Sequence, residues 1–91
     1  MQLGDMESTK EVPFTSIDLD NDGLYFIARD GDAWVYVDAE DRLVKVFNSL
    51  VDALAYGLHI SPEDITEVGV GEGVLRVCLP SECLEFRAWV D

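Results

Sequence analysis

Short stretches of apolar residues, separated by turn-forming residues, run along the chain from Val12 onward. Segments 14–19, 24–28, 33–37 and 43–47 are rich in branched and aromatic residues, which is typical of β-strands. Asp-Asn-Asp-Gly at 20–23, Asp-Gly at 30–31 and Asp-Ala-Glu-Asp at 38–41 separate them. This pattern predicts an antiparallel meander of about four strands.

The Asp30-Gly31 pair predicts the register of the central hairpin. As a two-residue loop it sets Phe26 opposite Val35 and Leu24 opposite Val37 on one face. The opposite face then carries Tyr25, Ile27, Trp34 and Tyr36, because side chains alternate along strands. The first set is expected to form the core. The aromatic set is covered by a helix, used in a homodimer, or used to bind a ligand, and the sequence does not choose between these.

One short helix is predicted after the meander. Leu50, Leu54 and Leu58 follow one another at intervals of four residues and form an apolar stripe. Ser49, with Asp52 three residues later, is typical of a helix N-terminus. Gly57 is expected to be the left-handed residue that ends the helix. Residues 61–64, Ser-Pro-Glu-Asp, indicate one further helical turn.

The C-terminal part predicts two to three more strands, with a hairpin at Pro80-Ser81. That turn pairs charged or polar residues on one face and apolar residues on the other. The polar-face pairs are Cys78–Cys83, Arg76–Glu85 and Val74–Arg87, and the apolar pairs are Leu75–Phe86 and Val77–Leu84. The predicted fold class is α+β: the meander, one short central helix packed on the sheet, and a C-terminal β unit.

The length of 91 residues suits one domain. Residues 1–11 show no hydrophobic period and are expected to be a flexible N-terminal tail, with 12–91 as a single α+β domain. No apolar run approaches the roughly 20 residues that span a bilayer. The first residues carry acids where a signal peptide has basic residues. We therefore expect a cytoplasmic protein.

The net charge is the property of the sequence that bears most on function. The chain holds 19 acidic and 6 basic residues, a net charge of −13, which disfavours direct contact with nucleic acid or anionic membranes. Such a surface suits a basic protein partner. Alternate turns of a meander lie at the same end of the sheet, so the turns at 20–23 and 38–41 are expected to meet. We call this region the acidic end, and it comprises Asp18, Asp20, Asp22, Asp38, Glu40 and Asp41.

A partial cation-binding motif lies within the acidic end. Asp18, Asp20 and Asp22, followed by Gly23, match the first half of a calcium loop, whose alternate acids surround a hard cation. The second half of the motif is missing, because Arg29 stands where a bidentate glutamate is required. Calcium or magnesium binding is therefore an alternative to an acidic turn held by its own hydrogen bonds. No other cofactor is indicated.

The remaining reactive residues favour structural roles. Cys78 and Cys83 are predicted to be cross-strand neighbours, which permits a disulfide, but a cytoplasmic setting favours free thiols. His59 follows the helix, where a histidine stabilises the last carbonyl groups. No base lies near either cysteine in the predicted hairpin, so no catalytic residue is assigned.

These observations predict a small, non-enzymatic binding protein that engages a basic partner surface. An inhibitor, an immunity-type protein or a nucleic-acid mimic would have these properties. One alternative is an accessory domain whose acidity maintains solubility in high salt, with Tyr25, Ile27, Trp34 and Tyr36 forming a homodimer contact. The other alternative is a divalent-cation-binding module that uses the turn at 18–22.

Overall fold

The computed structural model describes residues 12–90 and shows an α+β fold, as predicted, in which one helix packs on an antiparallel sheet. The predicted tail lies outside the described residues. The strands are β1 (Ser16–Asp18), β2 (Tyr25–Asp30), β3 (Ala33–Asp38), β4 (Leu43–Phe47), β5 (Glu67–Gly71), β6 (Val74–Cys78) and β7 (Cys83–Trp89). The α-helix, α1, spans Leu50–Leu58, and a single 3₁₀ turn spans Pro62–Asp64.

All seven strands belong to one sheet, in the order β4-β3-β2-β1-β7-β6-β5. The predicted meander and the predicted C-terminal unit are its two halves. They are joined by antiparallel pairing of the short strand β1 with β7, in which Ile17 lies opposite Ala88. The sequence did not predict this pairing, because β1 and β7 are separated by almost the whole described chain.

The ends of α1 show one confirmed prediction and one correction. The Ser49 hydroxyl accepts a hydrogen bond from the Asp52 N–H at 3.1 Å, as expected for an N-cap. At the other end, the left-handed residue is His59, with φ of 61°, and the helix continues through Gly57. Gly57 has a different role: a Cβ there would lie 2.5 Å from Leu19 Cδ1 and 3.2 Å from Tyr36 Cε1. Glycine thus permits α1 to approach the sheet closely.

The helix covers the aromatic face of the sheet, which decides between the three alternatives left by the sequence. Ile27, Trp34 and Tyr36 are almost completely buried, and Leu50 and Leu54 of α1 belong to the same core. Tyr25 is partly buried against this core. A dimer contact through this face would require the helix to move away.

The set that was expected to form the core lies on the opposite, open face of the sheet, so that prediction was wrong. Leu24 is 38 % exposed, and Phe26, Val35 and Val37 are only half-buried. Alternation of apolar and polar residues separates two faces of a strand but does not say which face is covered, and here both faces of β2 and β3 are apolar.

The register of the β2–β3 hairpin also differs from the prediction. The loop is Gly31-Asp32, so Phe26 lies opposite Val37 and Ile27 opposite Tyr36. Gly31 has a φ of 63° and is the first loop residue, the position where a type II′ turn needs a positive φ. Because the pairing shifts by an even number of residues, the same side chains still share each face.

The register of the last hairpin is confirmed, including Arg76 opposite Glu85 and Leu75 opposite Phe86. An ion pair of 3.2 Å joins Arg76 to Glu85. Cys78 and Cys83 are opposite each other, as predicted, and form a disulfide, which the sequence permitted but left open against free thiols. Cys78 is buried and Cys83 is exposed.

Candidate functional site: the acidic end of the sheet

The structure brings together the two turns of the acidic end. The Ala39 N–H donates a 2.8 Å hydrogen bond to the Leu24 carbonyl, which joins the turn after β3 to the turn before β2. The Tyr25 hydroxyl donates to Glu40 Oε1 at 3.1 Å, and this hydrogen bond raises the pKa of Tyr25. The predicted convergence of the two turns is therefore seen, with contacts that the sequence did not specify.

Asp18 is a buried structural residue within this cluster. Only 2 % of its side chain is exposed. Asp18 Oδ1 accepts a hydrogen bond from the Gly23 N–H at 3.1 Å, and Asp18 Oδ2 accepts one from Arg87 Nη2, also at 3.1 Å. Both oxygens are thus used to hold the β1–β2 turn, and Asp18 is not presented to a partner.

Arg87 is a residue of this region that the sequence reasoning missed. Besides Asp18, its guanidinium donates to the Asn21 carbonyl at 2.9 Å, and the Arg87 backbone N–H donates to Asn21 Oδ1 at 3.2 Å. These bonds attach the acidic turn to β7. The only available signal was a cationic residue in the last strand, and its position next to β1 depends on the unpredicted β1–β7 pairing.

Asp38 is also buried, and its Oδ1 accepts a hydrogen bond from the Asp41 N–H at 3.1 Å. The negative charge of Asp38 raises the pKa of Asp41, and a hydrogen bond between the two carboxyl groups acts in the same direction. Asp20 behaves differently. Burial acts to raise the pKa of Asp20, but hydrogen bonds from the Asp22 N–H and other donors outweigh burial and lower it.

The cation-binding alternative receives no support from the geometry of the turn. Asp18 is engaged as described, and Asp20 Oδ1 accepts hydrogen bonds from the N–H groups of Asp22 and Leu24, at 3.1 and 3.3 Å. Within residues 12–90, no group of three His, Cys, Asp or Glu side chains is arranged to hold a metal ion. Asp18 and Asp20 thus use carboxylate oxygens to stabilise the turn, and cation binding there stays a prediction.

The carboxylates that face solvent are Asp22, Glu40 and Asp41. In the described part of the chain, the salt bridges are Arg76–Glu85 and Arg87–Asp18, so these three acids have no cationic partner there. Arg42 is exposed in the same turn, with φ of 57°. The acidic end therefore has two buried, structural aspartates and three exposed acids that form no salt bridge within residues 12–90, with Arg42 as the exposed cation of the same turn.

Repulsion at this surface predicts a pH effect. The pKa of Asp41 is raised in the folded protein, so protonated Asp41 stabilises the fold at low pH, and this contribution is lost as pH rises through the folded pKa. Asp41→Asn should therefore raise the melting temperature at about pH 7, relative to wild type, and the difference should shrink near pH 3. Thermal unfolding followed by circular dichroism at both pH values measures this. An equal difference in melting temperature at both pH values would contradict the interpretation that the charges of Asp38 and Asp41 repel each other.

Another part of the sheet surface is a weaker candidate for a functional site. A shallow depression of about 320 Å³ lies over β5 and β6, lined by Gly69, Gly71, Val74 and the Arg76–Glu85 pair, among others. The charged groups of that pair are already bound to each other. In residues 12–90, no helix is long and apolar enough to cross a membrane.

Comparison with known proteins gives no relative: no family model matches the chain, and neither a curated protein nor a solved structure is significantly similar to it.

Proposed function

We propose that this chain is a small, non-enzymatic binding protein whose acidic end engages a basic surface of a partner protein. The observation that carries the proposal is the exposed group Asp22, Glu40 and Asp41, without a cationic partner among the described residues and above the buried Asp38. The turns hold these like charges close together, and their mutual repulsion falls when a cationic surface approaches. An inhibitor or immunity-type role, or mimicry of nucleic acid, would use such a surface.

The proposed binding set is narrower than the six acids of the acidic end, because only some of them are exposed. Asp18 and Asp38 belong to the acidic end but stabilise its turns, while Asp22, Glu40 and Asp41 are exposed to solvent, Glu40 with one carboxylate oxygen bonded to the Tyr25 hydroxyl. Asp20 is only partly exposed, and it stabilises the first turn through the N–H groups of Asp22 and Leu24. A test of binding should therefore change the exposed acids and leave the other three intact.

The test uses fluorescently labelled decalysine as a basic probe at low ionic strength. The triple variant Asp22→Asn, Glu40→Gln, Asp41→Asn is expected to bind decalysine about tenfold more weakly than wild type, since three exposed charge contacts are lost. Glutamine keeps an acceptor for the Tyr25 hydroxyl, so the turn is preserved. Fluorescence anisotropy measures the affinity.

The matched control removes the same number of charges at the other end of the sheet, in the variant Asp30→Asn, Asp32→Asn, Asp52→Asn. All three are exposed. The control is expected to lose less than about threefold in affinity, because only overall charge has changed. Equal losses in both variants would overturn the proposal, and the acids would then be assigned to solvation of the protein.

A further inference from the structure

The open face of the sheet carries an apolar surface that nothing in residues 12–90 covers. Strand pairing places its side chains in two rows across β2, β3 and β4. One row is Phe26, Val37 and Val44, and the other is Ala28, Val35 and Val46. Val44 and Val46 are 60 % and 66 % exposed, and the other four are half-buried. We call this set the open-face patch. A contiguous apolar surface of this kind marks an interaction site more often than scattered apolar residues do.

The dimensions of the patch match those of an α-helix. Three neighbouring strands span about 10 Å from the first axis to the third, close to the diameter of a helix with its side chains. The same three strands already hold α1 on their other face, where Leu50 and Leu54 are buried. A second helix on the open face would complete a three-layer arrangement, in which both faces of the sheet are covered.

The charges around the patch indicate which kind of helix it would bind. At one end lie Asp22 and Asp41, with Leu24 connecting them to the patch, and at the other end lies the Asp30–Asp32 turn. Glu40 is not counted here, because its carboxylate bonds to Tyr25 on the helix side. Lys45 of β4 does not offset these acids, because it points to the helix side, with its Nζ 5.2 Å from the Tyr56 ring centroid. The exposed cations nearby are Arg42, in the same turn as Asp41, and Arg87, which lies in the row of Phe26 and is bonded to Asp18. The patch is thus apolar in the middle, and acids outnumber cations around it.

A second copy of the chain fits this surface poorly. If two open faces met with their strands antiparallel, the acids of one end would approach the acids of the other end. If the strands were parallel, each acidic group would meet its own copy. Either arrangement brings like charges together. A helix with basic residues on both sides of an apolar stripe would instead place its stripe on the patch and its basic residues near the acids.

We propose that the open-face patch binds an amphipathic, basic α-helix of the partner protein, with the helix's apolar stripe on Val44, Val46 and their neighbours. This inference rests on the proposed function, since the acidic end supplies the charge that selects the partner. The apolar rows supply the contact area, and the acidic end supplies most of the preference for lysine and arginine.

The test uses a synthetic 14-residue amphipathic peptide of leucine and lysine, with decalysine as the purely basic probe. Val44→Ser with Val46→Ser is expected to weaken binding of the leucine–lysine peptide at least about tenfold, through lost apolar contact, and to leave decalysine binding unchanged. Both valines are exposed, so this variant keeps its core. Val70→Ser is the matched control, because Val70 is an exposed strand valine outside the patch, and it should change neither affinity.

Each other outcome has a definite meaning. Unchanged binding of the leucine–lysine peptide to the Val44/Val46 variant would overturn the open-face proposal, while weaker decalysine binding by the acidic-end variant would still uphold the proposed function. Equal affinity for a matched leucine–glutamate peptide would overturn the preference for a basic helix. Dimers of the wild type in sedimentation velocity that disappear in the Val44/Val46 variant would overturn the proposal in favour of a second copy.

Discussion

Trp34→Ala is expected to lower the free energy of unfolding by about 3–5 kcal/mol, the largest effect of any change considered for this protein. Trp34 is 4 % exposed, lies opposite Phe47 in the sheet and packs beneath α1, while the Arg29 guanidinium lies 5.6 Å from its ring centroid. Removing the indole leaves a cavity that the surrounding strands cannot close. Because domains of this size are stable by only about 5–15 kcal/mol, much of the stability would be lost.

Urea unfolding followed by far-ultraviolet circular dichroism measures this effect without depending on tryptophan fluorescence. Val46→Ala is the matched control, because Val46 is on the next strand but on the open face, and it should lose less than about 1 kcal/mol. Similar losses from Trp34→Ala and Val46→Ala would mean that the two faces of the sheet are buried to the same extent, contrary to the structure.

Asp18→Ala is expected to cost about 2–3 kcal/mol of stability, although Asp18 looks from the sequence like one more surface acid. Its carboxylate accepts hydrogen bonds from the Gly23 N–H and from Arg87, in a position that is almost closed to solvent. The value is below that of a fully buried ion pair, because the Arg87 side chain is 65 % exposed and can return to water.

Asp22→Ala provides the comparison for Asp18, since it removes the same charge from the same turn but from an exposed position. Its stability should stay within about 0.5 kcal/mol of wild type in urea unfolding. Asp18→Asn should fall between the two, because the amide oxygen still accepts from the Gly23 N–H. If Asp18→Ala and Asp22→Ala were equally stable, the structural role assigned to Asp18 would be wrong.

Sequence predicted those parts of the fold whose signals lie close together along the chain. The last hairpin was predicted residue by residue, because opposed charges on one face and apolar side chains on the other agree on a single register. The N-terminus of α1 was also predicted, since Ser49 and Asp52 are a local signal. The pairing of β1 with β7 was not predicted, because neither strand carries a signal that indicates its partner about 70 residues away.

The covered face of the sheet was wrongly predicted for a physical reason that also bears on function. Both faces of β2 and β3 carry apolar residues, so alternation could not show that Ile27, Trp34 and Tyr36 lie inside and Phe26, Val35 and Val37 outside. The convergence of the acidic turns followed from the topology of a meander. The division of these acids into buried and exposed ones depended on Arg87 and on backbone donors that the sequence does not reveal.

The most direct test of the central claim, that the acidic end is the binding surface, is a titration of the ¹⁵N-labelled protein with decalysine followed by amide chemical shifts. We expect the largest shift changes at Asp22, Gly23, Glu40 and Asp41, with little change at Asp30 and Asp32 at the other end of the sheet. Shift changes of similar size at both ends, or changes concentrated at Asp30 and Asp32, would contradict the claim.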